Sequence, residues 1–263
     1  MSNPYVAFFK ISIKDNIAYF KDYLISTIGR LSTYILMIFV WNIIYLGGHI
    51  SNIGGFSLIQ IDAYFVIGSA VFLLIDSIND KVLSDDIKTG NIAKALIKPV
   101  SYVYMVFVES FADNVLVVPP VFITVVFVIY YLGISINLLS IIAFMIIVLI
   151  GYAIINILQF MIGSLAIYTT SAFGISILFM NITAIFSGAI MPLTFFPSYI
   201  SNIAALLPFQ MFAYVPTSIL IGIIPSSAYL YYILFGLFWL LVLSVLGYFL
   251  WNNVKKKISS VGG

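Results

Sequence analysis

The segment Asp80–Pro99 has the sequence DKVLSDDIKTGNIAKALIKP and separates two long apolar stretches of the chain. It holds four of the eleven Lys and Arg residues and three of the nine acidic residues. Charges at this density cannot lie in lipid, so we expect a loop in water, on the cytoplasmic side where lysines concentrate. Ser84 and Asp85 are candidate N-caps of a short helix, which Gly90 is expected to interrupt and Pro99 to end. Such a loop, at the inner mouth of a helical bundle, is a candidate docking surface.

The composition is that of a membrane protein with almost no domain in water. The chain has 263 residues, of which 63% are hydrophobic and 8% charged, and its mean hydropathy is +1.19. A soluble domain carries about 25% charged residues. The net charge of +2 gives no reason to expect a nucleic acid as partner. The absence of cysteine excludes disulfides, thiolate catalysis and cysteine-bound metals, and the single histidine, His49, has no metal-ligand neighbours.

The apolar segments predict an all-α integral membrane protein, with one transmembrane domain over residues 1–263. The six predicted spans are 23–47, 62–80, 102–132, 138–168, 172–191 and 228–251. An interfacial helix is predicted at 4–21, a cytoplasmic loop at 81–99 and an extracellular re-entrant region at 192–227. The first apolar stretch starts only near Tyr23 and is long enough to cross a bilayer, so we expect no cleaved signal peptide. Pro119 and Pro120 are expected to kink the third span.

The N-terminal helix carries an apolar face beside a stripe of lysines. At 100° per residue, that face contains Val6, Phe9, Ile13, Ile17 and Phe20. The pattern favours a helix that lies in the membrane interface, with membrane lipid as its partner. The alternative is a cytoplasmic helix packed on another protein.

The region from Pro192 to Ser227 is apolar but rich in proline, which recurs at 192, 197, 208, 216 and 225. No single crossing helix tolerates that spacing. We therefore predict short broken helices that enter the outer leaflet without crossing it and are buried against protein where the backbone is irregular.

Charge placement predicts the orientation and one intramembrane ion pair. Apart from Arg30, every basic residue lies in the N-terminal helix, the 81–99 loop or the C-terminal tail. The positive-inside rule therefore places both termini in the cytoplasm. Arg30 is the only cation in the spans, so we expect it to pair with Asp76, Glu109 or Asp113 between neighbouring helices near the inner edge of the hydrocarbon.

Two local motifs, found in register with this order of parts, carry a resemblance. The motif of the inner loop consists of Ile87, Lys88, Gly90, Ile92, Leu96, Ile97, Lys98 and Pro99. The motif of the proline-rich region consists of Ser187, Gly188, Pro192, Phe196, Pro197, Leu207, Pro208 and Phe209, and is extended by Pro216 and Gly222. Over essentially its whole length, the chain resembles the membrane subunits of type-2 ATP-binding-cassette (ABC) exporters, in particular the small bacterial permeases made as separate polypeptides. Lysine replaces the family's arginine at positions 88 and 98, which keeps the charge but gives up bidentate hydrogen bonding.

The resemblance implies a permease subunit in the bacterial plasma membrane, as a homodimer or a heterodimer with a sister permease, driven by a dimer of separate ABC ATPase subunits. The second and fifth spans would line the export path. The residues implied in ATPase coupling are Asp85, Asp86, Lys88, Gly90, Leu96, Lys98 and Pro99. Those implied in the outer gate are Pro192, Phe195, Phe196 and Pro197. The sequence contains no G-x-x-x-x-G-K phosphate loop, so we expect no enzymatic activity and no cofactor in this chain, and ATP and Mg²⁺ in the partner ATPase.

Two other classes of function remain open at this point. An ion-coupled secondary transporter or channel would use the intramembrane carboxylates, to which Asp62 also belongs. It is disfavoured because the chain shows no inverted repeat. A membrane enzyme acting on lipids would need a nucleophile, a base or metal ligands that this sequence hardly offers.

Overall fold

The computed structural model describes residues 4–18, 35–75, 79–97, 100–134, 136–169 and 172–261. Within these ranges the helices are joined by turns and irregular segments, and the extended structure described is one isolated bridge between Ile53 and Phe56. The α-helices are α1 (Pro4–Ala18), α2 (Ile35–Gly47), α3 (Leu58–Ile75), α4 (Asn79–Lys88), α5 (Asn91–Leu96), α6 (Tyr102–Val115), α7 (Val118–Tyr131), α8 (Leu138–Ser164), α9 (Ala172–Phe186), α10 (Ser198–Leu206), α11 (Tyr214–Leu220) and α12 (Tyr229–Val261). Short 3₁₀ turns lie at Leu165–Ile167, Leu193–Phe195, Pro208–Phe212 and Ser226–Ala228. The prediction of an all-α protein is confirmed for the described residues.

Three helical segments are long and apolar enough to cross a membrane: Leu58–Thr89, of which residues 76–78 lie outside the described ranges, Leu138–Ile167 and Ser226–Ile258. The pair α6 and α7 makes a fourth if it is counted as one span. Its two helices are bent by 48° just before Pro119 and Pro120, where the kink was predicted. The described parts of α2 and α9 are shorter than a full crossing, and residues 19–34 and 170–171 before them lie outside the described ranges, so six spans stay a prediction.

Several boundaries differ from those expected. The helix α3 begins at Leu58 and not at 62, because Ser57 and Gln60 form a reciprocal cap: the Ser57 amide donates to Gln60 Oε1 (3.0 Å) and the Gln60 amide to Ser57 Oγ (3.4 Å). The helix α9 ends at Phe186 and not at 191, because the chain turns at Gly188 with φ of 82°.

The bounds of the two charged segments differ as well. The polar loop is helical from Asp80, within α4 (Asn79–Lys88), and α12 continues past Trp251 to Val261. Ser84 and Asp85 lie inside α4 and do not cap it. Most charged residues of the loop thus belong to helices.

The N-terminal helix packs on its own chain, an arrangement that the sequence did not suggest. The ring of Tyr5 lies 5.8 Å from that of Tyr104, and the ring of Phe9 lies 6.0 Å from that of Phe111, so α1 follows α6. Of the predicted apolar face, Val6 and Ile17 are exposed, Phe9 and Ile13 are half-buried, and residues 19–21 lie outside the described ranges. The interfacial position stays a prediction.

Buried side chains of α3 lie at the centre of the main core. Tyr64, Phe65 and Ile67 are at most 1% exposed, and α3 packs against α7, α8 and α11. A helix that is apolar on all sides is expected to be surrounded in this way. The helix α8 lies beside it and packs on α4, α11 and α12.

The contact between α4 and α8 depends on a glycine. A Cβ atom at Gly163 of α8 would lie 2.8 Å from the backbone oxygen of Asp80 and 3.0 Å from Cβ of Leu83. Both neighbours belong to α4 and cannot move independently of the helix. Only a residue without a side chain lets the two helices approach this closely.

We predict that Gly163→Ala destabilises the protein by about 1–3 kcal/mol through overpacking. The matched control is Gly247→Ala in α12, where a Cβ atom would make ordinary contacts at 3.5–3.8 Å and a better helix former is worth up to about 1 kcal/mol. Thermal unfolding of the detergent-solubilised protein measures both. A melting temperature of the Gly163 variant equal to or above that of the control would contradict the close packing.

Candidate functional site

The polar segment folds into two short helices at an angle, which we call the elbow (α4, Thr89–Gly90 and α5). Gly90 has φ of 73°, the left-handed region that favours glycine, and it ends one helix and starts the next. Thr89 closes the last turn of α4 through its amide (2.9 Å) and its hydroxyl (2.7 Å), both of which donate to the Asp85 carbonyl. The structure therefore places the interruption at Gly90, as the sequence predicts.

An aromatic and aliphatic cluster fastens the elbow to the bundle. Leu83 of α4 and Ile92 of α5 are 0% and 2% exposed. They pack with buried residues of α6, α8 and α12: Tyr102, Val106, Phe160, Trp251 and Val254. The ring of Tyr102 stacks on Trp251 at 5.8 Å, and Phe160 meets Trp251 edge-on at 5.1 Å. A displacement of the elbow must therefore move the inner ends of three long helices, because cores of this kind do not deform continuously.

The predicted coupling residues divide into an exposed set and a half-buried set. Asp85, Lys88 and Gly90 are exposed to solvent. Asp86 is half-buried and accepts a hydrogen bond of 2.7 Å from the Tyr102 hydroxyl, so it holds the elbow to α6. Leu96 is half-buried and belongs to the cluster. Lys98 and Pro99 lie outside the described residues.

Two residues of this region were not assigned a role by sequence reasoning. Ile97, just after α5, is 84% exposed although it is aliphatic. The sequence feature that could have singled out Ile97 is its position in the loop motif, just before Lys98 and Pro99. Tyr102 was treated only as the start of a span, and no sequence pattern shows that its hydroxyl bonds to Asp86.

A cleft of about 370 Å³ lies between the elbow, α1 and α6. Charged side chains from three sides line it: Asp86, Lys94 and Glu109. Glu109 and Asp113 are half-buried one turn apart on α6. Arg30 and Asp76 lie outside the described residues, so the predicted ion pair stays a prediction.

A second acidic site lies near the other end of the molecule. Asp62, one turn into α3, accepts a hydrogen bond of 2.8 Å from Asn42 Nδ2 on α2. The sequence shows that Asp62 lies within an apolar stretch, but the partner comes from the fold. This contact joins α2 to α3 by a charge-assisted bond, which is stronger than one between neutral groups.

The predicted gate residues form a compact outer cap, residues 192–197. Pro192 is buried, Phe195 and Phe196 are half-buried and Pro197 is exposed. The Phe195 ring meets Trp41 at 4.9 Å and Phe56 at 5.7 Å, both edge-on. These contacts tie the cap to α2 and to the loop after it, so Phe195 packs within the protein.

The outer cap is held in place by the turn before it. The Tyr64 hydroxyl of α3 donates to the Gly188 carbonyl at 2.7 Å, and the Tyr214 amide donates to the Ser187 carbonyl at 2.9 Å. A Cβ atom at Gly188 would lie 2.7 Å from that hydroxyl, so this turn also needs its glycine. The backbone at Ser187 and Gly188 is thus buried against α3 and α11.

The long apolar helices are those of an integral membrane protein. A family model described as "ABC-2 family transporter protein" matches residues 31–262. The chain therefore belongs to the ABC-2 family of transporter proteins and is a permease of this type. A search of curated proteins found no significant match.

Tyr102→Phe is predicted to loosen the elbow, because a hydrogen bond to a charged group is worth about 1.5–3 kcal/mol. Limited trypsin digestion at Lys88 and Lys94 measures the loosening as faster cleavage. Tyr104→Phe is the matched control, since Tyr104 lies on the same helix and is 66% exposed. Equal cleavage rates in the two variants would show that the bond to Asp86 does not hold the elbow.

Proposed function

We propose that this chain is the membrane-spanning subunit of an ABC exporter of the bacterial plasma membrane. Two permease chains, identical or sister chains, form the export path, and a dimer of separate ATPase subunits drives it. Six spans with both termini in the cytoplasm place the elbow beside the ATPase and the outer cap on the opposite face. Family membership supports the permease assignment, and the geometry of the elbow supports the mode of coupling.

The observation that carries the proposal is that one helix contacts both the elbow and the broken segment that follows α9. The helix α8 meets the elbow at Gly163, where Asp80 and Leu83 lie against it. Twelve residues earlier, a Cβ atom at Gly151 would lie 2.7 Å from the Met211 carbonyl of the broken outer segment. The two contacts are about 18 Å apart along one uninterrupted helix. A force on the elbow is therefore transmitted to the outer segment by a rigid element.

The outward surface of the elbow is suited to a transient protein contact. Lys81, Asp85, Lys88 and Lys94 are exposed around it, and Ile97 supplies a projecting apolar side chain. An apolar centre within a polar rim is the usual anatomy of a docking surface. ATP and Mg²⁺ belong to the partner in this proposal, which assigns no cofactor to the permease.

The outer cap is proposed as the outer gate, formed by Pro192, Phe195, Phe196 and Pro197. Its closed form is supported by the ring contacts of Phe195 with Trp41 and Phe56. Such contacts are worth about 0.5–1.5 kcal/mol each beyond area burial, which is small beside the free energy of ATP-driven closure. The gate can therefore open when α2 and α3 shift.

Ile97→Glu is predicted to weaken strongly the capture of the partner ATPase. A charge in the centre of a small interface costs about 2 kcal/mol or more, which lowers affinity at least tenfold. The assay is copurification of the untagged ATPase with tagged permease from membranes. Ile50→Glu, in the loop after α2, is the control for insertion, and we expect it to keep the ATPase.

Undiminished ATPase capture by the Ile97 variant would contradict docking at the elbow. The family assignment would stand in that case, and the ATPase contact would have to lie elsewhere on the cytoplasmic face. Failure of both variants to reach the membrane would be visible in the permease signal itself.

A further inference from the structure

An open apolar groove of about 930 Å³ runs between α7 and α8, and we call it the lateral groove. Phe122 and Tyr130 of α7 and Met145 and Leu149 of α8 line it and are all more than half exposed. The groove exists because consecutive helices pack on different neighbours: α7 packs on α3, and α8 packs on α4 and α12. Their connecting turn is short, but the helices leave a gap between them.

Among the described residues that line the groove, polar side-chain atoms come from Asn114, Tyr130 and Tyr152. Tyr130 lies at the outer end, and the other two lie at the inner end. Asn114 is 8% exposed, and its Nδ2 has no hydrogen-bond partner among the residues that the structure describes. A buried donor without an acceptor costs about 1–3 kcal/mol, so this amide needs an explanation.

The polar neighbours of Asn114 do not satisfy it. One turn earlier on α6, Ser110 bonds to the Tyr152 hydroxyl and donates to Asn156 Oδ1 of α8. Asn156 in turn donates to the Tyr152 carbonyl at 2.7 Å. This network joins α6 to α8 below the groove, and it leaves the Asn114 amide at the boundary between polar cluster and hydrocarbon.

The bend between α6 and α7 adds polarity at the same place. Pro119 and Pro120 have no N–H, so the carbonyls of Val115 and Leu116 have no amide four residues ahead to bond. Val115 also lines the groove. Irregular backbone at membrane depth is tolerated only where protein or a cavity surrounds it.

The depth of Asn114 in the membrane indicates which ligand group lies beside its amide. From Asn114 to Gly133 at the outer turn, nineteen residues span about 28 Å along the helices, slightly less with the bend. The hydrocarbon core of a bilayer is about 30 Å thick. If Gly133 marks the outer edge of the hydrocarbon, Asn114 lies at the inner edge, where the ester carbonyls of the cytoplasmic leaflet begin.

We propose that the lateral groove binds one glycerolipid of the cytoplasmic leaflet. An ester carbonyl accepts a hydrogen bond from the Asn114 amide; because Nδ2 is buried in the structure, the binding of the lipid includes a rotation of this side chain towards the groove. One acyl chain then lies along Val121, Val125 and Val148. Each leaflet contributes about half of the core thickness, so the end of this chain lies near Val125 and Met145.

A second copy of this chain fits the groove less well than a lipid does. The lipid-facing surface of a transmembrane helix is mostly apolar, and most of its carbonyls are used in the helix's own hydrogen bonds. An ester carbonyl is a free acceptor at the depth of Asn114. The site does not depend on the ATPase, so its failure and that of the proposed function are separable.

The test uses the whole chain in vesicles of phosphatidylethanolamine and phosphatidylglycerol that contain a small fraction of phosphatidylcholine with a diazirine at the end of one acyl chain. After irradiation, mass spectrometry maps the adducts. We expect them to concentrate on the peptides of α7 and α8 near Val125 and Met145. Asn114→Leu is expected to lower their yield about five- to tenfold, as loss of one hydrogen bond implies, without lowering the melting temperature.

Asn181→Leu is the matched control, because Asn181 is an exposed asparagine on α9 and lies outside the groove. It is expected to leave the adducts unchanged. Val148→Phe fills the groove and is expected to abolish the adducts on α7 and α8 while the protein keeps its elution volume on size exclusion.

Three results would overturn the proposal. Equal adduct yields in the Asn114 and Asn181 variants would mean that no polar anchor exists. Adducts spread evenly onto the exposed face of α12 would mean ordinary contact with bulk lipid. Disulfide-linked dimers of a Phe122→Cys variant would mean that a second copy covers the groove.

Discussion

The packing of the elbow onto the inner ends of α6, α8 and α12 is the contact on which the account depends. A charged segment cannot enter lipid, so the chain must leave the membrane at Asp80–Pro99. Leu83 and Ile92 of this segment insert into a cluster with Tyr102, Phe160 and Trp251, which fixes the elbow to the helical bundle. Close approach at Gly163 and the bond between Tyr102 and Asp86 fix the orientation of the elbow. A polar surface in water is thereby joined rigidly to helices in the membrane.

The helix α8 connects the elbow to the broken segment that follows α9. The helix α8 touches the elbow at Gly163 and the broken outer segment at Gly151, and in both places only glycine fits between backbones. The outer cap is held against α2 and α3 by rings and by hydrogen bonds to backbone carbonyls. In the proposed mechanism, the weak aromatic contacts let the outer cap open, whereas the dense cluster at the elbow transmits movement of the elbow to the helices.

Composition and local sequence made the helical fold and its main breaks predictable. Low charge and long apolar runs predict helices in a membrane, Gly90 predicts the break in the elbow, and Pro119-Pro120 predict the bend. Contacts between distant parts of the chain could not be predicted in this way. The N-terminal helix packs the half-buried rings of Tyr5 and Phe9 against α6, although Val6 and Ile17 complete its apolar periodicity. The partners of Asp86, Asp62 and Phe195 come from distant helices, and no spacing in one sequence shows which helices meet.

The central claim is that movement of the elbow opens the outer cap. Because the chain has no cysteine, Phe196→Cys gives a single reactive site in the cap, and Tyr199→Cys, 67% exposed, gives a matched site beside it. The measurement is labelling by a membrane-impermeant maleimide from outside, with and without ATP trapped in the partner ATPase. The account predicts that trapping raises the labelling rate at position 196 several-fold and leaves that at 199 unchanged. Equal rates at position 196 in both states would contradict the coupling of elbow to cap.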